Sequence, residues 1–309
     1  MKRISCALIL FFLCSAGASQ ISAADHLKMA DTNCLQKKYG KALENYNTAI
    51  NLGISDAETY FKRGLVQFYL KNDKKALEDY NRSLEIQEGT YEVYYRRGLA
   101  NYYLKDYKAA LEDFNKSISL KSEYANSYAF RGAVFLALEK NQECVNDETT
   151  ALWYDAQNIF AYYYRGRAYY NLKDNLAAIA DLSSALGIKQ SPDYYYHRAL
   201  AKHEVKDFKG AIKDAGQAIQ MKPDFYSAYL QRGISRTGEG DNENAIKDLS
   251  RAIALRPDQA SALHYRGLAK KSKGDISGAC EDLRKARELG FLKSGEELER
   301  INCISNAAK

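Results

Sequence analysis

The sequence predicts an all-α chain of antiparallel helix pairs stacked one on the next, and three observations carry that prediction. Arg followed by Gly or Ala recurs at Arg63, Arg97, Arg131, Arg165, Arg198, Arg232 and Arg266, at intervals of 34, 34, 34, 33, 34 and 34 residues. A second small residue follows twelve places after the first, from Ala76 to Ala279, and a third seven places further on, from Ser83 to Ala286. Composition completes the case: 46% apolar and 27% charged residues with only 3 Pro in 309 are neither disordered nor fibrous. A fixed period of this length is the mark of a repeat architecture.

The elements follow in chain order. Residues 1–24 are expected to be an export signal: Lys2 and Arg3 are a short basic start, Ile4 to Leu13 an apolar core, and Ala16-Gly17-Ala18 or Ser22-Ala23-Ala24 a cleavage site. Cleavage is expected after Ala18 or Ala24. Residues 25–56 form a divergent first repeat, in register through Ala30, Ala42, Tyr46 and Ala49. Residues 57–293 make seven further repeats. In each, small residues let two helices approach closely, with apolar residues at i, i+3, i+4 and i+7 forming the facing stripes. Tyr80, Phe114, Leu182, Leu249 and Leu283 fill a large apolar slot between them, with Glu148 and Ala215 as exceptions. Asn72, Asp106, Asp174, Asp207, Asp241 and Asp275 stand where an N-cap of the second helix belongs, and Pro223 and Pro257 where that helix must stop. Ser191-Pro192 marks the one-residue deletion as a helix start. Residues 294–309 read as a capping helix over the last repeat, with Gly290 ending the helix before it, Ser294 and Glu297 as a capping box, and Leu298 and Ile301 as its apolar face.

These residues resemble the tetratricopeptide repeat, whose pattern has small residues at its eighth, twentieth and twenty-seventh positions and Pro at its thirty-second. The resemblance implies a right-handed solenoid of antiparallel helix pairs, with a concave groove lined by the first helix of each pair, and a role in binding proteins. On the groove positions the N-terminal repeats carry an aromatic set: Phe61, Phe68, Tyr69, Tyr95, Tyr102, Tyr103, Phe160, Tyr163 and Tyr170, with Tyr196 at the transition. Such a trough packs against extended peptide while its hydroxyls supply hydrogen bonds. The C-terminal repeats carry His203, Thr237, His264 and Lys271 instead, with Lys202, Arg236 and Lys270 close by. The clamp with which cochaperone members of the family grip a C-terminal carboxylate is missing, since its two leading positions read Leu27 and Asp31 here.

A second regularity lies within each repeat. Arg at the seventh position and Asp at the twenty-third occur together in seven repeats and are lost together in the first, to Met29 and Asn45. Joint loss predicts an Arg–Asp ladder bridging the helices of each pair, for example Arg97 with Asp113. Among the cysteines beyond the leader, Cys34 and Cys144 lie three repeats apart, so only Cys280 and Cys303 are placed to form a disulfide, with a buried thiol at Cys280 as the alternative.

Function classes narrow accordingly. A net charge of +6, part of it in the leader, is too weak for a nucleic-acid partner, and no stretch after the leader is long and apolar enough for stable membrane insertion. The four His are scattered without zinc spacing, and Gly238-Glu239-Gly240 does not follow a strand, so neither a metal, a phosphate loop nor a catalytic set is expected. The expectation is a non-catalytic scaffold without cofactors. It would bind a peptide or protein segment in the groove, outside the cytoplasm, in the periplasm or secreted. Alternatives are a structural spacer in an envelope or secretion complex, or a glycan-binding module.

Overall fold

A computed structural model of the chain describes residues 21–303; most of the expected export signal lies outside them. Among the described residues there are seventeen helices and no strand. They fall into two compact bodies, Met1–Asp106 and Tyr107–Lys309. The first body holds α1 (Ala23–Leu35), α2 (Tyr39–Asn51), α3 (Ala57–Tyr69), α4 (Asp73–Ile86) and α5 (Tyr91–Tyr103). The second opens with α6 (Tyr107–Leu120) and continues with the pairs α7 (Ala125–Ala137) and α8 (Asn141–Tyr154), α9 (Ile159–Asn171) and α10 (Asn175–Ile188), α11 (Pro192–Glu204) and α12 (Phe208–Met221). It closes with α13 (Tyr226–Glu239) and α14 (Asn242–Leu255), α15 (Ala260–Ser272) and α16 (Ile276–Glu288), and the short α17 (Lys293–Arg300).

Each pair is held by the small residues that repeat in the sequence. A Cβ added at Gly166, Gly233 or Gly267 would lie 2.6–2.9 Å from the side chain of Leu182, Leu249 or Leu283, so only Gly lets the large residue of the second helix seat against the first. Tyr46, Tyr80, Phe114, Leu182, Leu249 and Leu283 are all fully buried in this slot. In the second body the first helices of successive pairs touch, α7 with α9, α9 with α11, α11 with α13 and α13 with α15, whereas the second helices stand further apart. The first-helix face is therefore the inner face of the stack.

Caps behave as expected at four second helices and differently at two ends. Asp174, Asp207, Asp241 and Asp275 each accept the N–H three residues on. Asn72 instead donates its amide to Gln67 at 2.9 Å, leaving no side-chain cap on α4. The expected capping box of α17 is also absent, since Leu292 is the N-cap residue and makes no side-chain bond. Ser294 pairs with His264 Nδ1 at 3.0 Å, and Glu297 accepts Lys271 at 2.5 Å, so both residues are drawn toward the last repeat. α17 nonetheless covers that repeat, with Leu298 packed in one cluster with Cys280, Leu283, Cys303 and Ile301. At the other end α1 has a complete capping box between Ser22 and Asp25.

Candidate functional site

The outer side of each pair is committed to structure. In six repeats the Arg Nε and Nη2 donate to both oxygens of the expected Asp at 2.6–2.9 Å, from Arg63–Asp79 to Arg266–Asp282. The seventh pair, Arg97 and Asp113, is divided between the two bodies. The remaining nitrogen Nη1 reaches a polar residue on the second helix of the preceding repeat. Arg63 reaches Asn47, Arg97 Asn81, Arg131 Asn115, Arg165 Thr149, Arg198 Ser183 and Arg266 Ser250, at 2.7–3.1 Å. One guanidinium from a first helix thus spans the gap between two second helices. Tyr60, Tyr94, Tyr128, Tyr195 and Tyr229, each three residues before its Arg, lie under these guanidinium groups at 5.4–5.7 Å. A good share of the tyrosine excess therefore belongs to the ladder and not to the groove.

The expected basic C-terminal face is corrected in the same way. Lys202, Arg236 and Lys270 donate to the ladder carboxylates Asp214, Asp248 and Asp282 at 2.8, 2.6 and 2.8 Å. The second cation changes the electrostatics of its carboxylate. Burial raises Asp79, which Arg63 alone does not offset; at Asp282 burial acts the same way, but Arg266 and Lys270 together hold the group below its usual range. His203 bonds Ser235 and His264 bonds Ser294, so neither presents both ring nitrogens to a partner.

The inner face of the first body is open. One cavity of about 450 Å3 lies between α1 and α3, with Leu35, Tyr39, Leu65 and Tyr69 on its apolar walls and Asp31, Tyr46 and Lys62 as its polar groups. The Tyr46 hydroxyl donates to Asp31 Oδ1 at 2.5 Å, and Lys62 Nζ meets Asp31 Oδ2 at 3.0 Å. A second cavity of about 420 Å3 runs on the far side of α3 toward α5, lined by Phe61, Lys62, Leu65, Glu58, Glu92 and Val93 among others. Lys62 and Leu65 border both, so the two are successive stretches of one trough across α3.

The predicted aromatic set divides against this geometry. Phe61 and Tyr69 line the trough. Phe68 packs with Ala76, Tyr80 and Ala100. Tyr95 is buried, at 5% exposure, and is corrected from groove wall to core. Tyr102 lies edge-on to Tyr103 at 5.4 Å, and Tyr103 is half exposed at the end of its helix.

In the second body Tyr163, Tyr196 and His197 gather around a residue that the sequence reasoning missed, Arg167. The Tyr163 ring lies 4.7 Å from Tyr194 and 5.6 Å from His197, and Tyr196 lies 5.1 Å from His197. The Arg167 guanidinium stands over Tyr163 at 5.4 Å and, among the described residues, pairs with no carboxylate. Burial pushes the Tyr163 phenol up to about 12, and burial with Arg167 nearby holds His197 down to about 3. His197 is thus neutral at physiological pH, leaving Arg167 as the cation of the cluster. Its signal was in the sequence: Arg167 holds the ninth position, where other repeats have Leu65, Leu99, Ala133, Leu200 and Leu268. Tyr170, one turn on, is half-buried, with Lys173 Nζ 5.7 Å above its ring, and Phe160 lies 5.0 Å from buried Phe130.

Cys280 and Cys303 are joined as a disulfide with their Cα atoms 5.7 Å apart, while Cys34 and Cys144 are free. Among the described residues no group of acidic, His and Cys side chains is placed to hold a metal ion.

Comparison with known proteins agrees with this architecture. Profiles of the tetratricopeptide repeat match residues 57–90, 91–124 and 192–225, and a further TPR profile matches 237–274. No curated protein matches the chain. Among solved structures, YrrB, described as a TPR protein with an unusual peptide-binding site, is 21% identical, with 62% of this chain and 100% of that chain aligned at a TM-score of 0.54. A tetratricopeptide repeat protein from Parabacteroides merdae is 18% identical over 79% of this chain and 98% of its own, at 0.56. A chain of the APC/C hetero-tetramer is 16% identical over 94% of this chain and 58% of its own, at 0.65. Period, helix pairing and these matches together identify the repeating units of this chain as tetratricopeptide repeats.

Proposed function

We propose that this protein is a non-catalytic scaffold that receives an extended peptide or protein segment along its first-helix face, and that it works outside the cytoplasm. The trough across α3 carries this reading. Its apolar walls and the Asp31–Tyr46–Lys62 set combine burial for side chains with fixed donors and acceptors, which is how peptide sites are built. In the second body, Arg167 among Tyr163 and Tyr196 suits an acidic side chain of the same kind of ligand. YrrB, a structural relative with a peptide-binding site, is consistent with that use of the fold. The expected export signal is what supports the location; of its two candidate cuts, the one after Ala18 would keep Ser22 and the capping box of α1.

Peptide display against the full chain tests the proposal. Peptides selected on the wild type should lose at least tenfold in affinity on Phe61→Ala/Tyr69→Ala, and unchanged affinity on Trp153→Ala serves as the control, since Trp153 is 78% exposed on a second helix. Peptides that bind the trough variant as well as the wild type would place recognition elsewhere and favour the spacer reading.

A further inference from the structure

The turns that join first to second helices in the first body form one basic edge. Residues 36–41, 70–75 and 104–106 contain Lys37, Lys38, Lys41, Lys71, Lys74, Lys75 and Lys105, all exposed, against only Asp73 and Asp106. Among the described residues none of these lysines is ion-paired; the lysine and arginine pairs of this body use Lys28, Lys62, Arg63, Arg82 and Arg96. The opposite edge, at residues 51–58 and 85–92, carries Asp56, Glu58, Glu85, Glu88 and Glu92 and no Lys or Arg. The body is electrically polarised from edge to edge.

Ring contacts join the three turns into a single surface. Tyr39 stacks on Tyr69 at 4.8 Å, linking the first turn to the second, and Lys71 Nζ lies 5.8 Å above the Tyr103 ring, linking the second to the third. Apolar tips alternate with the charges. Leu35 is 86% exposed, Tyr69 48% and Tyr103 50%, each two residues before a lysine of the row.

The row occupies a turn position that is left-handed throughout the stack, held in later repeats by Glu139, Lys173, Lys206, Gly240 and Gly274. Lys37, Lys71 and Lys105 have φ of 56°, 64° and 64°, a left-handed conformation that disfavours a side chain and that Gly adopts freely. The same position is Gly240 and Gly274 in the last repeats, so the turn accepts Gly. Taken together, the five later turns carry more acids than bases, so the concentration of lysine belongs to the first body.

We propose that this edge docks the protein peripherally on a membrane surface rich in anionic phospholipid. Lysines at the rim meet the headgroup charge, while Leu35 and the edges of Tyr69 and Tyr103 enter the interfacial layer. No described helix is long and apolar enough to cross a membrane, so the contact is made by the turns. A nucleic-acid strand fits less well, because base stacking needs open ring faces, and Tyr39 covers one face of Tyr69 while Lys71 covers one of Tyr103.

Co-sedimentation of the full chain with phosphatidylglycerol-containing and pure phosphatidylcholine vesicles tests the proposal. Binding should appear on the anionic vesicles and weaken steeply with salt. The variant Lys37→Gly/Lys71→Gly/Lys105→Gly should bind about a hundredfold less, at about fivefold for each lysine. Gly relieves the left-handed backbone, so the thermal melt of the variant should be unchanged or higher and lost binding is not lost fold. Both proteins share residues 1–20, so any partition carried by that segment is common to them. Equal sedimentation of wild type and variant, or equal binding to phosphatidylcholine, would overturn the proposal. So would a single-stranded oligonucleotide that binds the wild type more tightly than the vesicles do and fails on the variant.

Discussion

Glu148 occupies the slot that Tyr46, Tyr80, Phe114, Leu182, Leu249 and Leu283 fill in other repeats, and it is as fully buried as they are. Its Oε1 lies 3.9 Å from the Cys144 thiol, and its Oε2 has no hydrogen-bond partner. Burial raises the carboxyl well above its ordinary range, with Asp147 and Asp181 adding to the effect; Arg165 opposes it but is already bonded to Asp181 through two nitrogens. The native state therefore holds this proton at pH values where the unfolded chain, titrating near 4.3, has released it. With the folded value raised, the contribution is fully present below the unfolded value and is lost as pH rises toward the folded one, at about 1.4 kcal/mol per pH unit.

Glu148→Leu removes that loss. Leu is already seated against Gly in three other repeats, and here the partner is Gly132, whose added Cβ would lie 2.4 Å from Glu148 Oε1. A gain of about 2–4 kcal/mol is expected at pH 7.5, shrinking to about 1 kcal/mol at pH 4.5, where the remaining cost is an unpaired neutral acid. Glu148→Gln should flatten the pH dependence without the full gain. The measurement is a set of urea melts between pH 4.5 and 8 on the three proteins, comparing midpoints at equal slope because a repeat array need not unfold in one step. A wild-type-to-Leu difference that stays constant across this range would refute the reasoning, because it would mean that the carboxyl releases its proton in the folded and unfolded chain alike.

Two further outcomes follow from the ladder and the C-terminal end. Gly216 stands where Asn47, Thr149, Ser183 or Ser250 accept the arginine of the next repeat, and a Cβ there would meet only Arg232 Nη1, at 3.7 Å. Gly216→Ser should stabilise by about 1–1.5 kcal/mol, about half of it from helix propensity and the rest from the new bond; a double-mutant cycle with Arg232→Met that shows no coupling would remove the second half. In denaturant the full chain should take up four alkyl groups before reduction and six after, its six Cys less the bonded pair. Reduction should lower the stability of the α16–α17 end by about 3 kcal/mol, read by hydrogen exchange.

What was legible in the sequence is what recurs at a fixed offset. Small residues twelve and seven apart dictate which helix surfaces can approach, and an Arg sixteen residues before an Asp finds it in every repeat contained in one body. The ladder's third contact was hidden because its acceptor changes between Asn, Thr and Ser while its geometry does not. Tyr95 was misplaced for a different reason: a position index says which side of a helix a residue occupies but not how deeply it is buried there. The basic edge escaped notice because its lysines come from turns about 34 residues apart and join only when the pairs stack.

The repeat itself explains shape and cohesion, so the residues that carry anything specific are those that break it. Arg167 breaks an apolar position and, among the described residues, puts a cation with no paired carboxylate on the inner face. Glu148 breaks the apolar slot, Gly216 the ladder, and the lysines of the first three turns the mixed charge of the later ones. Two of these departures cost stability at buried or structural positions with no surface to serve, and correcting them should strengthen the fold. The other two put charge on separate faces, one toward a groove and one toward an edge. Because the outer arginines keep successive second helices in register independently of both, substitution of Arg167 should leave the lysine edge intact, and substitution of Lys37, Lys71 and Lys105 should leave the Arg167 cluster intact.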